Sequence, residues 1–173
     1  MQRYSFIAIF FHWLVALLII VAFTLGLTMV DMSFSPAKLR YVSWHKWLGV
    51  TIFALACLRL LWRLSQPSPT YPTHMPHWQQ QAARWMHVLL YALIFAIPLS
   101  GYFYSLASGV PIVYLSIFPL PVLMAPDAGL KPILKLAHYV LNMILLGGVG
   151  LHVLAALKHQ FIDRDGILRK MLP

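Results

Sequence analysis

Four long apolar runs dominate the chain and limit the folds that it can adopt. They extend from Phe6 to Met29, from Val42 to Leu64, from Gln81 to Leu106 and from Pro132 to Phe161. Each run reaches the roughly 20 residues that a helix needs to cross the hydrocarbon core of a bilayer. Backbone polar groups find no water in that core, so only helices or closed barrels span it. The runs therefore predict an all-α fold, an integral membrane four-helix bundle that makes residues 1–173 a single membrane domain.

The composition agrees with lipid as the surrounding solvent. Hydrophobic residues make up 61% of the chain and charged residues only 10%, too few to cover the surface of a soluble domain of this size. Thirteen basic residues face four acidic ones, but they stand at the ends of the apolar runs instead of forming one basic stripe. We therefore expect a lipid bilayer as the partner and no nucleic acid.

The basic residues also predict the orientation of the chain. Four spans leave the N-terminus, the second connector and the C-terminus on one side, which holds eight basic residues against five on the other. By the positive-inside rule, the side with both termini is cytoplasmic. The third connector, from Ala107 to Lys131, lies on the outer side. Its apolar segment 112–121 predicts a short helix or turn that caps the bundle at the interface.

Six histidines fall inside the spans; His159 lies at the cytoplasmic boundary, and the other five sort into two depths. His45 and His138 lie towards the outer side and form what we call the outer level. His12, His87 and His152 lie towards the cytoplasmic side and form the inner level. Fourteen residues separate His138 from His152, a spacing that puts both on one face of a helix, about 21 Å apart along its axis. Histidine inside a membrane is costly and usually functional.

Each level offers enough imidazole for one iron held by two histidines, the usual way in which a helical bundle holds haem. Structural zinc needs four ligands and copper favours thiolate or methionine, and neither level offers such a set. The chain has one cysteine, Cys57, and no Cys-x-x-Cys-His motif, so covalent haem attachment is excluded. Haem that is held by two histidines and bound non-covalently fits these counts. Glycines near the histidines allow either close helix packing or room for a flat macrocycle: Gly49, Gly147, Gly148 and Gly150.

Several motifs resemble the bacterial cytochrome b561 family. They are Phe11-His12-Trp13, Trp44-His45-Lys46-Trp47-Leu48-Gly49, Arg59-Leu-Leu-Trp-Arg63, Trp85-Met-His87 and the His138…His152 pair. The resemblance covers nearly the whole chain. It implies that two haem b groups are bound, one by His12 with His152 and one by His45 with His138. His87 is then an alternative inner ligand or a residue beside a quinone.

The resemblance also implies a function. Small stand-alone members of the family suggest electron transfer from periplasmic superoxide through two haems to ubiquinone, by a multi-pass protein of the bacterial inner membrane with cytoplasmic termini. The alternative is an electron-transfer subunit that links quinone to a periplasmic redox enzyme. Histidine is expected at position 158, where this chain has lysine; His87, Lys158 and His159 are the candidates for the quinone side.

Basic residues on the outer side form a candidate funnel for the superoxide anion. The alternative interpretation is that they anchor to lipid headgroups or pair with haem propionates. The residues are Lys38, Arg40, Lys46, Lys131 and Lys135.

Overall fold

The computed structural model describes residues 3–66, 70–72 and 75–172. Its four long helices are α1 (Phe6–Asp31), α2 (Pro36–Ser65), α3 (His77–Ala107) and α4 (Leu130–Lys158). All four are long and apolar enough to cross a membrane, and a π-helical turn at His159–Asp163 continues α4. The predicted all-α four-helix bundle is confirmed. A short 3-10 helix, Leu168–Met171, follows near the C-terminal end.

Polar side chains set the starts of three helices. The hydroxyls of Ser5 and Ser35 accept hydrogen bonds from backbone N–H groups in the first turns of α1 and α2, and Pro36 occupies the first turn of α2. The Asp127 carboxylate accepts from two backbone N–H groups at the start of α4, at 2.8 and 2.9 Å. Helix α2 therefore begins six residues before the apolar run that predicts it, because its cap and not its hydrophobicity fixes the start.

The hydrophobic core lies among the first three helices. It is formed by Val15 and Ala22 of α1, Ile52 and Ala56 of α2, and Ile94 of α3. Helix α4 joins the bundle through α3, and its backbone contacts with α1 and α2 are sparse among the described residues. The backbones of α1 and α2 therefore do not pack closely against α4. The histidines of both levels lie on the facing sides of the helices.

The third connector forms a β-hairpin. Strand β1 (Val113–Tyr114) pairs antiparallel with β2 (Phe118–Pro119). Leu115 and Ser116, between the strands, have φ angles of 52° and 61°. This is the left-handed conformation that a tight hairpin turn requires at its two central residues. Of the two forms predicted for this segment, the turn is present and the helix is not, because Pro119 and Pro121 favour extended backbone over helix.

Two hydrogen bonds fasten the hairpin to α2. The indole N–H of Trp47 donates to the carbonyl oxygen of Val113 at 2.8 Å, and the hydroxyls of Thr51 and Tyr114 lie 2.9 Å apart. The connector thus lies over the end of the bundle that holds the outer level, as a cap would.

Candidate functional site

The outer level consists of two histidines that face each other from α2 and α4. The ring centroids of His45 and His138 lie 6.2 Å apart, and the ring planes are almost perpendicular, at 88°. Both rings are partly buried. The predicted pair is therefore brought together across the sparsely packed side of α4.

Backbone carbonyls hold both outer rings by Nδ1. His45 Nδ1 lies 2.9 Å from the carbonyl oxygen of Ala22 on α1, and His138 Nδ1 lies 3.1 Å from that of Ile97 on α3. A carbonyl only accepts, so Nδ1 carries the proton and Nε2 keeps its lone pair. This is the tautomer that binds metals through Nε2, with its orientation fixed by the hydrogen bond at the other nitrogen. The Ser100 hydroxyl, 2.9 Å from His138 Nδ1, adds a further contact.

Two glycines make room for the outer rings. A Cβ atom on Gly26 of α1 would lie 3.2 Å from Cε1 of His45, and one on Gly101 of α3 would lie 3.0 Å from Cε1 of His138. Both contacts are tighter than van der Waals packing allows without a shift. Glycine at these positions lets each ring lie against the backbone of the neighbouring helix.

The inner level brings three histidines together around His152. Its ring centroid lies 6.4 Å from that of His12 on α1 and 5.6 Å from that of His87 on α3. His152 of α4 therefore faces two histidines that could bind the same iron with it. The sequence leaves this choice open, and the resemblance assigns His12.

Among the described residues, no ring of the inner level has a backbone-carbonyl anchor like those of the outer level. His12 Nδ1 lies 3.0 Å from a guanidinium nitrogen of Arg59. Arginine only donates, so Nδ1 of His12 is the acceptor and the ring proton of the neutral imidazole sits on Nε2. For Nε2 to bind iron, Nδ1 of His12 would have to lose this hydrogen bond from Arg59 and take up the ring proton.

The spacing of the rings can be compared with that of a single iron. Two imidazoles on opposite sides of one metal, each bound at about 2.0 Å, have ring centroids about 6.3 Å apart. The His45–His138 and His12–His152 pairs, at 6.2 and 6.4 Å, fit this value, whereas His87–His152 at 5.6 Å is shorter. The donor sets therefore suit one iron at each level, and spacing favours His12 over His87.

The glycines singled out in the sequence play different parts. Gly148 is buried against Leu90 of α3 and serves helix packing. Gly147 and Gly150 meet no atom within 4 Å and lie about 140° and 160° around α4 from His152, away from the histidine face. Gly49 lies one turn from His45, on nearly the same face, and also meets nothing within 4 Å. Of the four, Gly49 combines open space with the histidine face.

Three of the five outer cations share a helix face with the outer histidines. Lys131 and Lys135 precede His138 by seven and three residues on α4, and Lys38 precedes His45 by seven on α2, spacings that keep each set on one face. Lys131 and Lys135 are exposed, whereas the Lys38 ammonium donates to the carbonyl oxygen of Met32 at 2.6 Å.

The other two outer cations lie elsewhere on α2. Arg40 and Lys46 are offset from the face of His45 by five positions and one position, about 140° and 100° around the helix. The Lys46 ammonium reaches 3.5 Å from the carbonyl oxygen of Val110 in the third connector. These two therefore do not extend the face that Lys38 shares with His45.

The candidates for a quinone side are split between two places. His87 lies beside His152, whereas His159 lies seven residues beyond His152, about 10.5 Å further along α4. The Lys158 ammonium contacts the Asp163 carboxylate at 2.6 Å. His159 Nδ1 lies 3.1 Å from Asp163 and 2.6 Å from Asp165.

Asp165 fixes the ring of His159. Its carboxylate is 3% exposed and also accepts from the backbone N–H of Ile167 at 3.0 Å. Because Asp165 accepts from Nδ1, Nε2 of His159 is left to interact with another group. The π-helical turn that begins at His159 is a form found frequently at functional sites.

Residues 3–173 match the family model for prokaryotic cytochrome b561. The chain belongs to this family. It is 35% identical over 179 residues to cytochrome b561 homolog 2 of Escherichia coli (strain K12), an alignment that covers 99% of the chain and 92% of the relative. As a member of the family, it is a haem b-binding membrane protein of electron transfer.

Two further relatives match over nearly their whole length. Cytochrome b561 homolog 1 of Escherichia coli (strain K12) is 28% identical over 176 residues, covering 100% of this chain and 98% of the relative. The probable superoxide oxidase CybB of Yersinia pestis is also 28% identical over 176 residues, covering 99% and 97%.

Sequence reasoning does not assign several residues that support the two levels of this family member. Ser100, Gly26 and Gly101 touch the outer rings, and Arg59 touches an inner one. Gly26 and Arg59 each contact a histidine of a neighbouring helix, so only the packing of the helices reveals the contact. An arginine inside an apolar run is the one available signal, because such a charge needs a partner.

We expect Gly101→Ala to destabilise the outer level. The added methyl group must push the His138 ring aside by a few tenths of an ångström, which distorts the Nδ1 hydrogen bonds and costs about 1–3 kcal/mol for overpacking. Thermal unfolding and the haem absorption spectrum measure the effect. Gly150→Ala is the matched control, because its Cβ meets no atom within 4 Å. Equal effects of the two substitutions would contradict the view that Gly101 makes room for the His138 ring.

Proposed function

We propose that the chain is a di-haem b-type cytochrome that oxidises superoxide on the periplasmic side and reduces ubiquinone. The observation that carries the proposal is the pair of facing histidines at each of two depths, His45 with His138 and His12 with His152, with ring centroids 6.2 and 6.4 Å apart. Helix α4 contributes one member to each pair. A haem iron held in this way supplies reversible one-electron chemistry.

The net reaction balances with one-electron donors and a two-electron acceptor. Two superoxide anions each give up one electron and leave as dioxygen. One ubiquinone takes up both electrons and two protons and becomes ubiquinol. The name of the Yersinia pestis relative, a probable superoxide oxidase 28% identical to this chain, supports the choice of donor.

The orientation follows from the charges at the two ends of the bundle. Eight basic residues on the side of both termini against five on the other favour cytoplasmic termini in the bacterial inner membrane. The outer level then faces the periplasm, where Lys38, Lys131 and Lys135 continue the histidine faces of α2 and α4. Cations on such a face attract a small anion and raise its encounter rate by about 10- to 1,000-fold.

The quinone side lies at the opposite end, near His159 and Lys158. Asp165 holds His159 by Nδ1 at 2.6 Å. When the ring takes up a second proton, on Nε2, that N–H can donate a hydrogen bond to a quinone oxygen and pass its proton to it. The Lys158 ammonium is held by Asp163, so His159 is the better candidate for this contact. His87, beside His152, completes the inner side.

Superoxide and quinone added to the purified protein test the proposal directly. We expect superoxide generated in solution to reduce the b-type haems of the purified protein. A soluble ubiquinone analogue should then reoxidise them. Haem absorption and quinol formation are the two measurements. Haems that are reduced by quinol but not by superoxide would contradict the proposal. That result would support the alternative, a subunit that links quinone to a periplasmic redox enzyme.

Neutralising Lys131 and Lys135 together, both to Gln, is expected to slow haem reduction by superoxide and to flatten its dependence on salt. The physical reason is the loss of two exposed cations from the face of His138. Stopped-flow rates at increasing ionic strength measure both effects. Arg40→Gln is the control, since it removes a charge from the same end but from another face. A wild-type rate indifferent to salt would contradict the funnel.

The inner partner of His152 can be identified by paired substitutions. We expect His12→Ala to lose one haem per chain and His87→Ala to keep both, because the His12–His152 spacing of 6.4 Å lies closer to the spacing across one iron than the His87–His152 spacing of 5.6 Å. The haem-to-protein ratio measures the outcome. The reverse result would make His87 the ligand.

A further inference from the structure

A cavity of about 270 Å³ opens at the end of the bundle that holds the inner level. The start of α1, the end of α2 and the middle of α3 surround it, and Met171 closes it from the C-terminal segment. The indole N–H of Trp13 donates to the carbonyl oxygen of Met171 at 2.8 Å, which holds that segment against α1. Three arginines line the cavity: Arg3, Arg59 and Arg63.

Two of these arginines share one aromatic ring. The guanidinium carbons of Arg59 and Arg63 lie 5.1 and 5.9 Å from the ring centroid of Tyr91 on α3. Cation–π attraction holds a guanidinium at such distances, but it leaves two like charges side by side. Arg59 also contacts His12 Nδ1 at 3.0 Å, so it joins the cavity to the inner level.

The acidic side chains of the protein lie elsewhere. The chain has four of them: Asp31 ends α1 at the opposite end, and Asp127 caps α4. Asp163 and Asp165 contact Lys158 and His159. In the described part of the chain, no ion pair joins Arg3, Arg59 or Arg63 to a carboxylate.

Charged arginine near the end of a membrane-spanning helix calls for an anionic partner. A guanidinium stays charged at any physiological pH, and its uncompensated burial is costly. Its planar fork matches a carboxylate or a phosphate group through two parallel hydrogen bonds. The cavity therefore offers guanidinium groups that suit an anionic group from outside the polypeptide.

We propose that Arg59 and Arg63 bind the propionate carboxylates of the haem held by His12 and His152. The proposal rests on the di-haem function proposed above. Arg59 links the two places, because it lines the cavity and touches His12. A carboxylate that takes the Arg59 guanidinium also releases His12 Nδ1, which then carries the ring proton and leaves Nε2 for iron.

The site has an electrostatic consequence for the inner haem. Nearby positive charge stabilises the reduced state of an iron centre, which carries one positive charge fewer, and so raises its midpoint potential. Arg59 and Arg63 thus favour electron arrival at the inner level over the outer one.

Separate Arg59→Gln and Arg63→Gln variants test the site through potentials and haem retention. We expect each to lower the midpoint potential of the inner haem in a spectroelectrochemical titration and to leave the outer one unchanged. We also expect transfer of the inner haem to a soluble haem-scavenging protein to become about tenfold faster, as for the loss of an outer-shell partner. Arg84→Gln is the matched control, because Arg84 is exposed near the start of α3 and does not line the cavity.

Reconstitution with haem dimethyl ester, which has no free carboxylates, identifies the anion. With haem b, Arg59→Gln should speed transfer of the inner haem to the scavenging protein, whereas with the ester, which already lacks the carboxylates, the substitution should leave the transfer rate unchanged. An equal acceleration with both haems would overturn the proposal. Loss of a co-purifying anionic phospholipid from the variant, with both potentials unchanged, would overturn it in favour of a lipid phosphate.

The haem content of the wild-type protein distinguishes a failure of the di-haem function from a failure of the propionate site. A wild-type protein without an inner haem contradicts the di-haem function and the propionate site with it. A wild-type protein with two haems, whose potentials do not respond to either arginine substitution, overturns the propionate site alone.

Discussion

The hydrogen bonds from Nδ1 of the outer histidines to backbone carbonyls are the interaction on which the site depends. His45 of α2 bonds to Ala22 of α1, and His138 of α4 bonds to Ile97 of α3. Each bond satisfies a polar ring inside an apolar bundle, where an unpaired polar group is costly. The same bond ties two neighbouring helices together and fixes the tautomer that a metal needs. Helix packing and the proposed haem site thus share one contact in each helix pair.

The inner level is built on a different principle. A guanidinium, not a carbonyl, touches His12, and the carboxylates that pair with His159 lie beyond α4. The chain places its few acids outside the bundle and leaves cations at the inner end. Such an end suits an anionic cofactor edge and a redox centre of raised potential, whereas the outer end presents exposed lysines to solvent. This asymmetry agrees with electrons that enter at one end and leave at the other.

The sequence predicts the fold and the two levels well, because both depend on regular spacing. Apolar runs give the four helices, and helical geometry alone sorts His12, His87 and His152 from the outer pair. The supporting contacts depend on how the helices pack. Gly101 beside His138 and Arg59 beside His12 are separated in the chain from their partners by 37 and 47 residues, and no local pattern links them. The apolar side chains of the hairpin at Val113–Pro119 carry no clear period, so hydrophobicity does not distinguish a helix from a turn there; only Pro119 and Pro121 favour the extended form.

Near-infrared magnetic circular dichroism of the oxidised, purified protein, quantified per chain, tests the central claim most directly. The charge-transfer band of low-spin ferric haem reports the axial ligands at each iron. Two facing histidine pairs predict two bis-histidine haems per chain. A single haem per chain, or a band that indicates a methionine ligand at either iron, would contradict the account.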